Sequence, residues 1–273
     1  ERPGGTVLAS GITVRPDGTF TATFTVPAIA QGSYRVIAQQ ADTLQAEALL
    51  TIAPIVEAPF SIRGAAGETF TLIVKGLKPG KTVAPSTTTA PRDNIVIGGA
   101  PTYHGGGSTG PAGTLSIPVT LSAAIPTTGF VDVTIIYTDG TSDTISRAIL
   151  VSRPQDPAKP AFTQAIVVSP PSPGPLSVGE TLSVVVYNFP AGTPVDIYLG
   201  SRKLTTIITD GNGAGRATAS VPALPGLTPG GAPIAYSIRA VDTFGLRAVE
   251  PGYRIASELR LFIDTTRVTS GTY

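Results

Sequence analysis

The 273-residue sequence contains no cysteine, no methionine and no tryptophan, and its single histidine is His104. Without cysteine it has neither a disulfide nor a thiolate metal site. A Ser-His-Asp catalytic set would have to use His104. No apolar run approaches the roughly 20 residues that a membrane-spanning helix needs. These absences exclude thiol chemistry, and they predict no membrane-spanning helix.

Charge is also scarce: charged residues make up 14% of the chain, and 19 basic side chains nearly balance 18 acidic ones. A net charge of +1 creates no field that would attract nucleic acid or an anionic membrane. We therefore expect neither partner, and no cofactor is indicated. Because methionine is absent, we expect either that a leader has been removed or that the sequence belongs to a longer protein.

Glycine and proline are abundant, with 31 and 26 residues respectively. This composition favours strands joined by tight turns over helices. The stretch Gly179–Gly200 shows the pattern most clearly, because two runs of alternating apolar and polar residues flank the turn Phe189–Gly192. We predict a strand, a turn and a second strand there, and no long helix elsewhere.

The same pattern recurs along the chain. Gly67–Val83 matches Gly179–Val195 in its Gly-Glu-Thr start, its apolar run and its proline-glycine turn. Arg15–Ala30 matches Thr209–Pro225, since in both an Asp-Gly turn leads into an alternating strand that ends at Val-Pro-Ala. Such repetition predicts tandem modules. The second match places the start of the first module before residue 1, so we expect that module to be incomplete at its N-terminus.

We predict an all-β fold of three sandwich modules, each with one wetted and one buried sheet face. The modules are residues 1–54, a partial sandwich that lacks its first strands; residues 55–153, with a long loop at 82–113; and residues 161–264. A proline-rich linker, Ser152–Pro160, precedes the third module. In the first module the predicted strands are Thr6–Val14, Thr19–Val26, Ser33–Gln39 and Ala46–Ile52. The remaining residues, 265–273, form a C-terminal extension.

The sequence supports no catalytic or metal site, and we predict that the chain is not an enzyme. His104 has no acidic neighbour in its glycine-rich segment, so we interpret it as an exposed loop histidine. The turn at Asp210 and Asn212 lacks the further oxygen ligands of a calcium loop and is most simply a hairpin turn. Lys75 could form a covalent link to an acidic or amide side chain, but its place before a turn indicates a solvated strand end.

A sandwich without its first strands exposes unpaired backbone groups and an apolar seam, which an extended segment of another chain can fill. The candidate donor is the C-terminal part of an identical chain, from Ser257 or Asp264 to Tyr273, which includes the extension 265–273. Its candidate interface residues are Leu259, Leu261, Ile263, Val268 and Tyr273. A head-to-tail contact of this kind propagates as an open filament of copies of the chain. Alternatively, the sequence is a window on a longer tandem array that supplies the missing strands itself.

Three segments, Pro16–Ala28, Gly32–Asp42 and Val178–Gly200, resemble the immunoglobulin-like repeats of bacterial and archaeal adhesins, surface-layer proteins and extracellular filaments. The resemblance implies tandem immunoglobulin-like β-sandwich domains, the first incomplete at its N-terminus, in an extracellular or cell-surface setting. It implies no ligand and no catalytic residues.

Two functions remain open at this point. One is a structural filament subunit assembled by strand complementation. The other is a stalk or accessory binding module of a larger adhesin, surface-layer protein or carbohydrate-active enzyme. The second would be favoured if Arg92, Tyr103 and His104 formed a concave aromatic site in segment 82–113.

Overall fold

The computed structural model describes residues 6–15, 19–24, 29, 31–40, 44–87, 92–169 and 176–257. Every regular element in these ranges is a β-strand, and none of the ranges contains a helix able to cross a membrane. The strands are β1 (Gly32–Gln40), β2 (Leu44–Ile52), β3 (Ile55–Ala58), β4 (Ser61–Ile62), β5 (Thr69–Lys75), β6 (Thr82–Val83), β7 (Ile95–Ile97), β8 (Ala100–His104), β9 (Gly107–Ser108), β10 (Leu115–Leu121), β11 (Gly129–Ile136), β12 (Ser142–Val151), β13 (Ala165–Ser169), β14 (Leu176–Ser177), β15 (Thr181–Tyr187), β16 (Pro194–Leu199), β17 (Arg202–Ile208), β18 (Gly215–Ser220), β19 (Ile234–Asp242) and β20 (Arg247–Ala256).

The chain divides into two compact units. Unit 1 comprises Glu1–Phe60, Ala65–Ile125 and Phe130–Ile149, and unit 2 comprises Ser61–Gly64, Pro126–Gly129 and Leu150–Tyr273, as far as these ranges are described. The predicted module boundary at residue 54 therefore lies inside unit 1, and the linker Ser152–Pro160 lies inside unit 2.

Unit 1 contains a two-stranded antiparallel sheet, β1-β2, and most of an eight-stranded sheet in the order β3-β5-β10-β8-β7-β11-β12-β4. Gly129 at the start of β11, the last two residues of β12 and all of β4 belong to unit 2. Strand β10 shows why these segments are extended. Every second residue from Leu115 to Leu121 is buried, and the residues between them are exposed or half-buried. This alternation directs one face of the strand to the core and the other to solvent.

Unit 2 contains a three-stranded sheet, β13-β15-β18, and a five-stranded sheet, β14-β20-β19-β16-β17. Strand β13 pairs antiparallel with β15 in one sheet, whereas β14 pairs in parallel with β20 in the other. The two sheets share one core, which includes Val168, Leu182, Val184, Val186, Phe189, Val195, Ile197, Leu199, Ile238, Ala240, Tyr253 and Ile255. Two sheets closed over one core form an immunoglobulin-like sandwich. The prediction of an all-β fold with tandem sandwiches of this kind is confirmed.

The predicted repeat is visible as matching backbone hydrogen bonds in the two units. The N–H of Gly67 donates to the carbonyl of Leu121 over 2.9 Å, and the N–H of Gly179 donates to the carbonyl of Val221 over 2.8 Å. In each unit the carboxylate of the following glutamate accepts a hydrogen bond from the backbone N–H three residues earlier. Gly-Glu-Thr is therefore a repeated turn that fixes the start of β5 and of β15.

Segment 82–113, which we predicted to be a long loop, contains the four strands β6 to β9. Strand β8 pairs with β7 on one side and with β10 on the other, which joins the strands of unit 1 into one sheet. In unit 2, by contrast, the consecutive strands β17 and β18 lie in different sheets. The loop prediction was wrong because the strands β6 to β9 are only two to five residues long. Glycine pairs separate β7 from β8 and β8 from β9. Alternation over so few residues gives no recognisable signal.

Two of the four strands predicted in the first module are present, as β1 and β2. The described residues of Thr6–Val14 and Thr19–Val26 form no strand, although the N–H of Arg15 donates to the carbonyl of Thr19 over 2.8 Å. Val7 is 79% exposed. An alternating sequence becomes a strand only where a neighbouring strand completes its hydrogen bonds.

Candidate functional site

Five residues predicted to form the subunit interface lie outside the described residues: Leu259, Leu261, Ile263, Val268 and Tyr273. Their role therefore stays a prediction. The surface that they would cover can be described, because β1 and β2 lie within the described ranges.

The β1-β2 hairpin is a two-stranded sheet, so within the described ranges each strand is paired on one edge only. One face carries Tyr34, Val36, Leu50 and Ile52, with Tyr34 directly opposite Leu50. All four are half-buried, and no described residue of either strand is buried. On the other face Leu49 is 71% exposed. An isolated two-stranded hairpin is marginally stable in water, and no third strand joins this one among the described residues, so it offers a place for an additional strand.

A partly buried polar contact anchors the chain just before β1. The side-chain amide of Gln31 donates to Asp143 Oδ1 over 2.9 Å, and the hydroxyl of Tyr137 donates to Asp143 Oδ2 over 2.7 Å. Burial, followed by the hydrogen bond to Asp143, raises the pKa of Tyr137 above its ordinary value. The phenol therefore remains a donor, and the carboxylate holds the start of the hairpin beside β12 in unit 1.

The structure does not bring Arg92, Tyr103 and His104 together as a concave aromatic site. Tyr103 and His104 are neighbours on β8 and therefore point to opposite faces of the sheet. His104 lies opposite Val119 of β10 and is 5% exposed, while Arg92 is exposed ahead of β7. The interpretation of His104 as an exposed loop residue was wrong, because the segment forms a strand whose inward face includes the imidazole.

One ring nitrogen of His104 is hydrogen bonded and the other is not. The N–H of Gly106 donates to Nδ1 over 3.2 Å, so Nδ1 is the acceptor and the proton of the neutral ring resides on Nε2. Nε2 is buried and has no hydrogen-bond partner among the described residues. Burial lowers the pKa of His104 below its ordinary value. The folded protein therefore favours the neutral ring.

Unit 1 should lose stability when the pH falls through the titration range of His104. The ordinary pKa of 6.5 applies to the unfolded chain, and the folded state has a lower value. The unfolded state then binds the proton more tightly, so the free energy of unfolding falls as the pH decreases from about 6.5 towards the folded-state pKa. Chemical denaturation between about pH 7.5 and about pH 5 measures this slope. The variant His104→Asn keeps an acceptor but cannot titrate, and an unchanged slope in it would assign the effect to other groups.

A second cluster lies in unit 2 around Asn188, which follows β15 with φ at 61° and is 1% exposed. Its backbone N–H donates to Ser152 Oγ over 3.0 Å, and its Oδ1 accepts a hydrogen bond from the N–H of Arg153 over 3.1 Å. Its Nδ2 donates to Thr128 Oγ1 and to the carbonyl of Thr163, over 3.0 and 2.9 Å. One side chain thus joins three separate stretches of unit 2. No motif in the sequence indicated this role.

The turn between β17 and β18 extends this polar cluster. Asp210 Oδ1 accepts hydrogen bonds from the N–H groups of Asn212 and Ala214, over 2.9 and 3.0 Å. Ser61 Oγ donates to Asp210 Oδ2 over 2.5 Å, and Arg63 Nε donates to Asn212 Oδ1 over 3.2 Å. Because β17 and β18 lie in different sheets, this is a crossing from sheet to sheet, and the hairpin interpretation was wrong. In the described part of the chain no group of three or more potential metal ligands occurs.

Lys75 ends β5, and its ammonium group forms an ion pair with Glu57 of β3 over 2.7 Å. The two side chains are 45% and 48% exposed. The interpretation of Lys75 as a solvated strand end is confirmed, and its exposure does not fit a buried covalent link.

No protein-family model and no curated protein matches the chain. Among solved structures, SGBP-B of the Bacteroides ovatus mixed-linkage glucan utilization locus, in complex with a mixed-linkage heptasaccharide, is 10% identical with a TM-score of 0.28, over 94% of this chain and 68% of that chain. A tetra-tandem repeat from the extending region of a large adhesion protein is 13% identical with a TM-score of 0.23, over 89% and 62%. The ICAM-5 D1-D4 ectodomain fragment is 16% identical with a TM-score of 0.26, over 84% and 62%. Similarity at this level supports no conclusion about function, and the chain spans less than two thirds of the last two structures.

Proposed function

We propose that the chain is a non-catalytic structural module of an extracellular surface fibre, whose copies join head to tail by β-strand complementation. The observation that carries this proposal is the β1-β2 hairpin, whose strands pair only with each other within the described ranges and carry a half-buried apolar face. An extended strand from a second copy would pair with one edge and place its apolar residues on that face.

In this proposal the donor is segment 258–273 of a second copy. Leu259, Leu261 and Ile263 are spaced two residues apart, which places them in one row if the segment is extended. Val268 and Tyr273 continue the apolar content of the segment. Donor and acceptor are different surfaces of the same chain, so the contact is heterologous. It repeats from copy to copy and builds an open fibre instead of a closed ring.

Apolar burial supplies part of the free energy that such a contact needs. Burial of three leucine or isoleucine side chains contributes roughly 5–9 kcal/mol before the entropic cost of association. Micromolar binding corresponds to about 8 kcal/mol. Backbone hydrogen bonds along the new strand add roughly 0.5–1.5 kcal/mol each.

A stalk or accessory module of a larger adhesin, surface-layer protein or carbohydrate-active enzyme is the second candidate. It is favoured by the repeated turn bonds of the two units, which are typical of tandem arrays, where each sandwich repeats the same plan. In that case the same polypeptide supplies the strand that covers the hairpin. Arg92, Tyr103 and His104 offer no binding site in support of it.

The test compares the full chain with a chain that ends at Ser257, by sedimentation and negative-stain electron microscopy. We expect fibres from the full chain and monomers from the truncated chain, with the same thermal unfolding of unit 2. As a matched pair, Leu259, Leu261 and Ile263 are replaced by Asn in one variant, and Thr265, Thr266 and Thr269 by Ser in the other. Only the first should prevent assembly. Fibres that form equally well from the truncated chain would exclude segment 258–273 as the donor.

A further inference from the structure

The charged side chains of unit 2 are distributed unevenly between its two sheets. The three-stranded sheet carries one charged residue, Arg216. The five-stranded sheet carries five basic residues: Arg202, Lys203, Arg239, Arg247 and Arg254. Its acidic residues are Asp196, Glu250 and the buried Asp242. The net charge of the whole chain conceals this local excess of positive charge.

The strand register places several of these side chains side by side on the outer face of the five-stranded sheet. Across β20, β19, β16 and β17 the first row is Val249, Arg239, Tyr198 and Lys203, and the second is Arg247, Val241, Asp196 and Thr206. The residues that alternate with them, such as Ile197 and Ala240, are buried in the core. Since neighbouring strands lie about 4.8 Å apart, Arg239 and Lys203 are separated by about 10 Å across the sheet.

Two of the cations are held in place by neighbours. The guanidinium of Arg239 lies 5.6 Å from the centroid of the Tyr198 ring and donates one hydrogen bond to the carbonyl of Gly200 over 2.9 Å. The ammonium of Lys203 lies 2.7 Å from Asp196 Oδ1, which also accepts a hydrogen bond from Thr206 over 2.7 Å. Arg239 retains further N–H donors that face solvent. A cation fixed in this way loses less side-chain entropy when it binds an anion.

We propose that this face, defined by Tyr198, Lys203, Arg239 and Arg247, binds an acidic polysaccharide whose sugars carry carboxylates. Guanidinium groups match carboxylates with two parallel hydrogen bonds. The hydroxyls of Tyr198 and Thr206 and the carboxylate of Asp196 can exchange hydrogen bonds with sugar hydroxyls. A sheet face suits an extended polymer; this one belongs to unit 2, whereas the hairpin of the proposed assembly belongs to unit 1.

The charge density of the face favours a polysaccharide over nucleic acid. A DNA duplex presents one negative charge per roughly 1.7 Å of its axis. A few cations spaced about 10 Å apart around a carboxylate do not match that density. A polymer with at most one carboxylate per sugar places its charges further apart and surrounds them with hydroxyl groups.

The experiment measures retention of the chain on immobilised polygalacturonate as a function of salt. We expect binding at low ionic strength that weakens towards about 0.15 M, where screening acts over about 8 Å. The double variant Arg239→Gln/Arg247→Gln should bind about tenfold more weakly. The matched control, Lys78→Gln/Arg92→Gln, removes the same charge from unit 1 and should bind within about twofold of the unmodified chain. The variant Arg239→Lys keeps the charge without the paired N–H groups and should be intermediate.

Several outcomes would overturn the proposal. It fails if the unmodified chain is not retained, if both double variants lose binding equally, or if neutral dextran retains the chain as well as polygalacturonate does. Tighter binding to a DNA duplex than to polygalacturonate would assign the face to nucleic acid instead. Thermal unfolding of each variant verifies that a loss of binding is not a loss of fold. Fibres formed by the Arg239→Gln/Arg247→Gln variant would show that its loss of polysaccharide binding is independent of the proposed assembly.

Discussion

Replacement of Gly213 by alanine is expected to lower the free energy of unfolding of unit 2 by roughly 3 kcal/mol or more. Gly213 has φ at 74°, and a Cβ atom there would lie 2.0 Å from the carbonyl oxygen of Phe189 and 2.9 Å from Cα of Pro154. Both are backbone atoms, so no rotamer change relieves the overlap. The N–H of Phe189 also donates to the carbonyl of Gly213 over 3.0 Å, and separation of the two segments would break that bond.

Thermal or chemical unfolding checks this expectation, and the change corresponds to a fall in Tm of roughly 10 °C. The control is Gly211→Ala in the same turn, where a Cβ meets no atom within 4 Å. That variant should stay within about 0.5 kcal/mol of the unmodified chain. Equal stability of the two variants would contradict the packing described for the turn. Gly113, whose Cβ would lie 2.0 Å from the carbonyl of Leu77, is the corresponding position in unit 1.

Replacement of Asn188 by alanine is expected to destabilise unit 2 by roughly 3 kcal/mol. The change removes the three hydrogen bonds of the buried Asn188 side chain, to the N–H of Arg153, the hydroxyl of Thr128 and the carbonyl of Thr163. Alanine also has to adopt φ near 61°, which costs roughly 1–2 kcal/mol. Denaturant titration followed by near-ultraviolet circular dichroism measures the loss.

Asn188→Gly separates the two contributions. Glycine adopts positive φ without strain but makes none of the side-chain bonds. We expect this variant to be more stable than Asn188→Ala by about 1 kcal/mol and less stable than the unmodified chain by about 2 kcal/mol. A glycine variant as stable as the unmodified chain would show that the hydrogen bonds of Asn188 contribute nothing to stability.

Much of the fold could be predicted because its strands are long enough to alternate. Gly179–Gly200 forms β15 and β16 around the predicted turn, and the repeated Gly-Glu-Thr segment starts β5 as it starts β15. Segment 82–113 escaped prediction because its strands have at most five residues and gain their order from pairing with β10 and β11. The alternation of apolar and polar residues along one short strand does not show which strands pair with it. The burial of His104 follows from this pairing and was missed for the same reason.

The candidate sites also differ in whether the sequence or only the fold reveals them. The prediction that the first module is incomplete at its N-terminus rests on the repeat alone and stays a prediction. The role of Asn188 could not be predicted, since Thr128 and Thr163 are distant in sequence and only the fold brings them to its amide. The basic face of unit 2 also depends on register, which places Arg239 of β19 beside Tyr198 of β16. Charge counted along the chain does not reveal it.

The most direct test of strand complementation is amide hydrogen exchange in β1 and β2 of the chain that ends at Ser257. Exchange is measured with and without a saturating peptide of sequence 258–273, and a scrambled peptide is the control. Complementation predicts that the outward-pointing amides of one strand exchange at least about tenfold more slowly with the native peptide alone. Unchanged exchange at every amide of the hairpin, with the peptide in excess, would contradict the account.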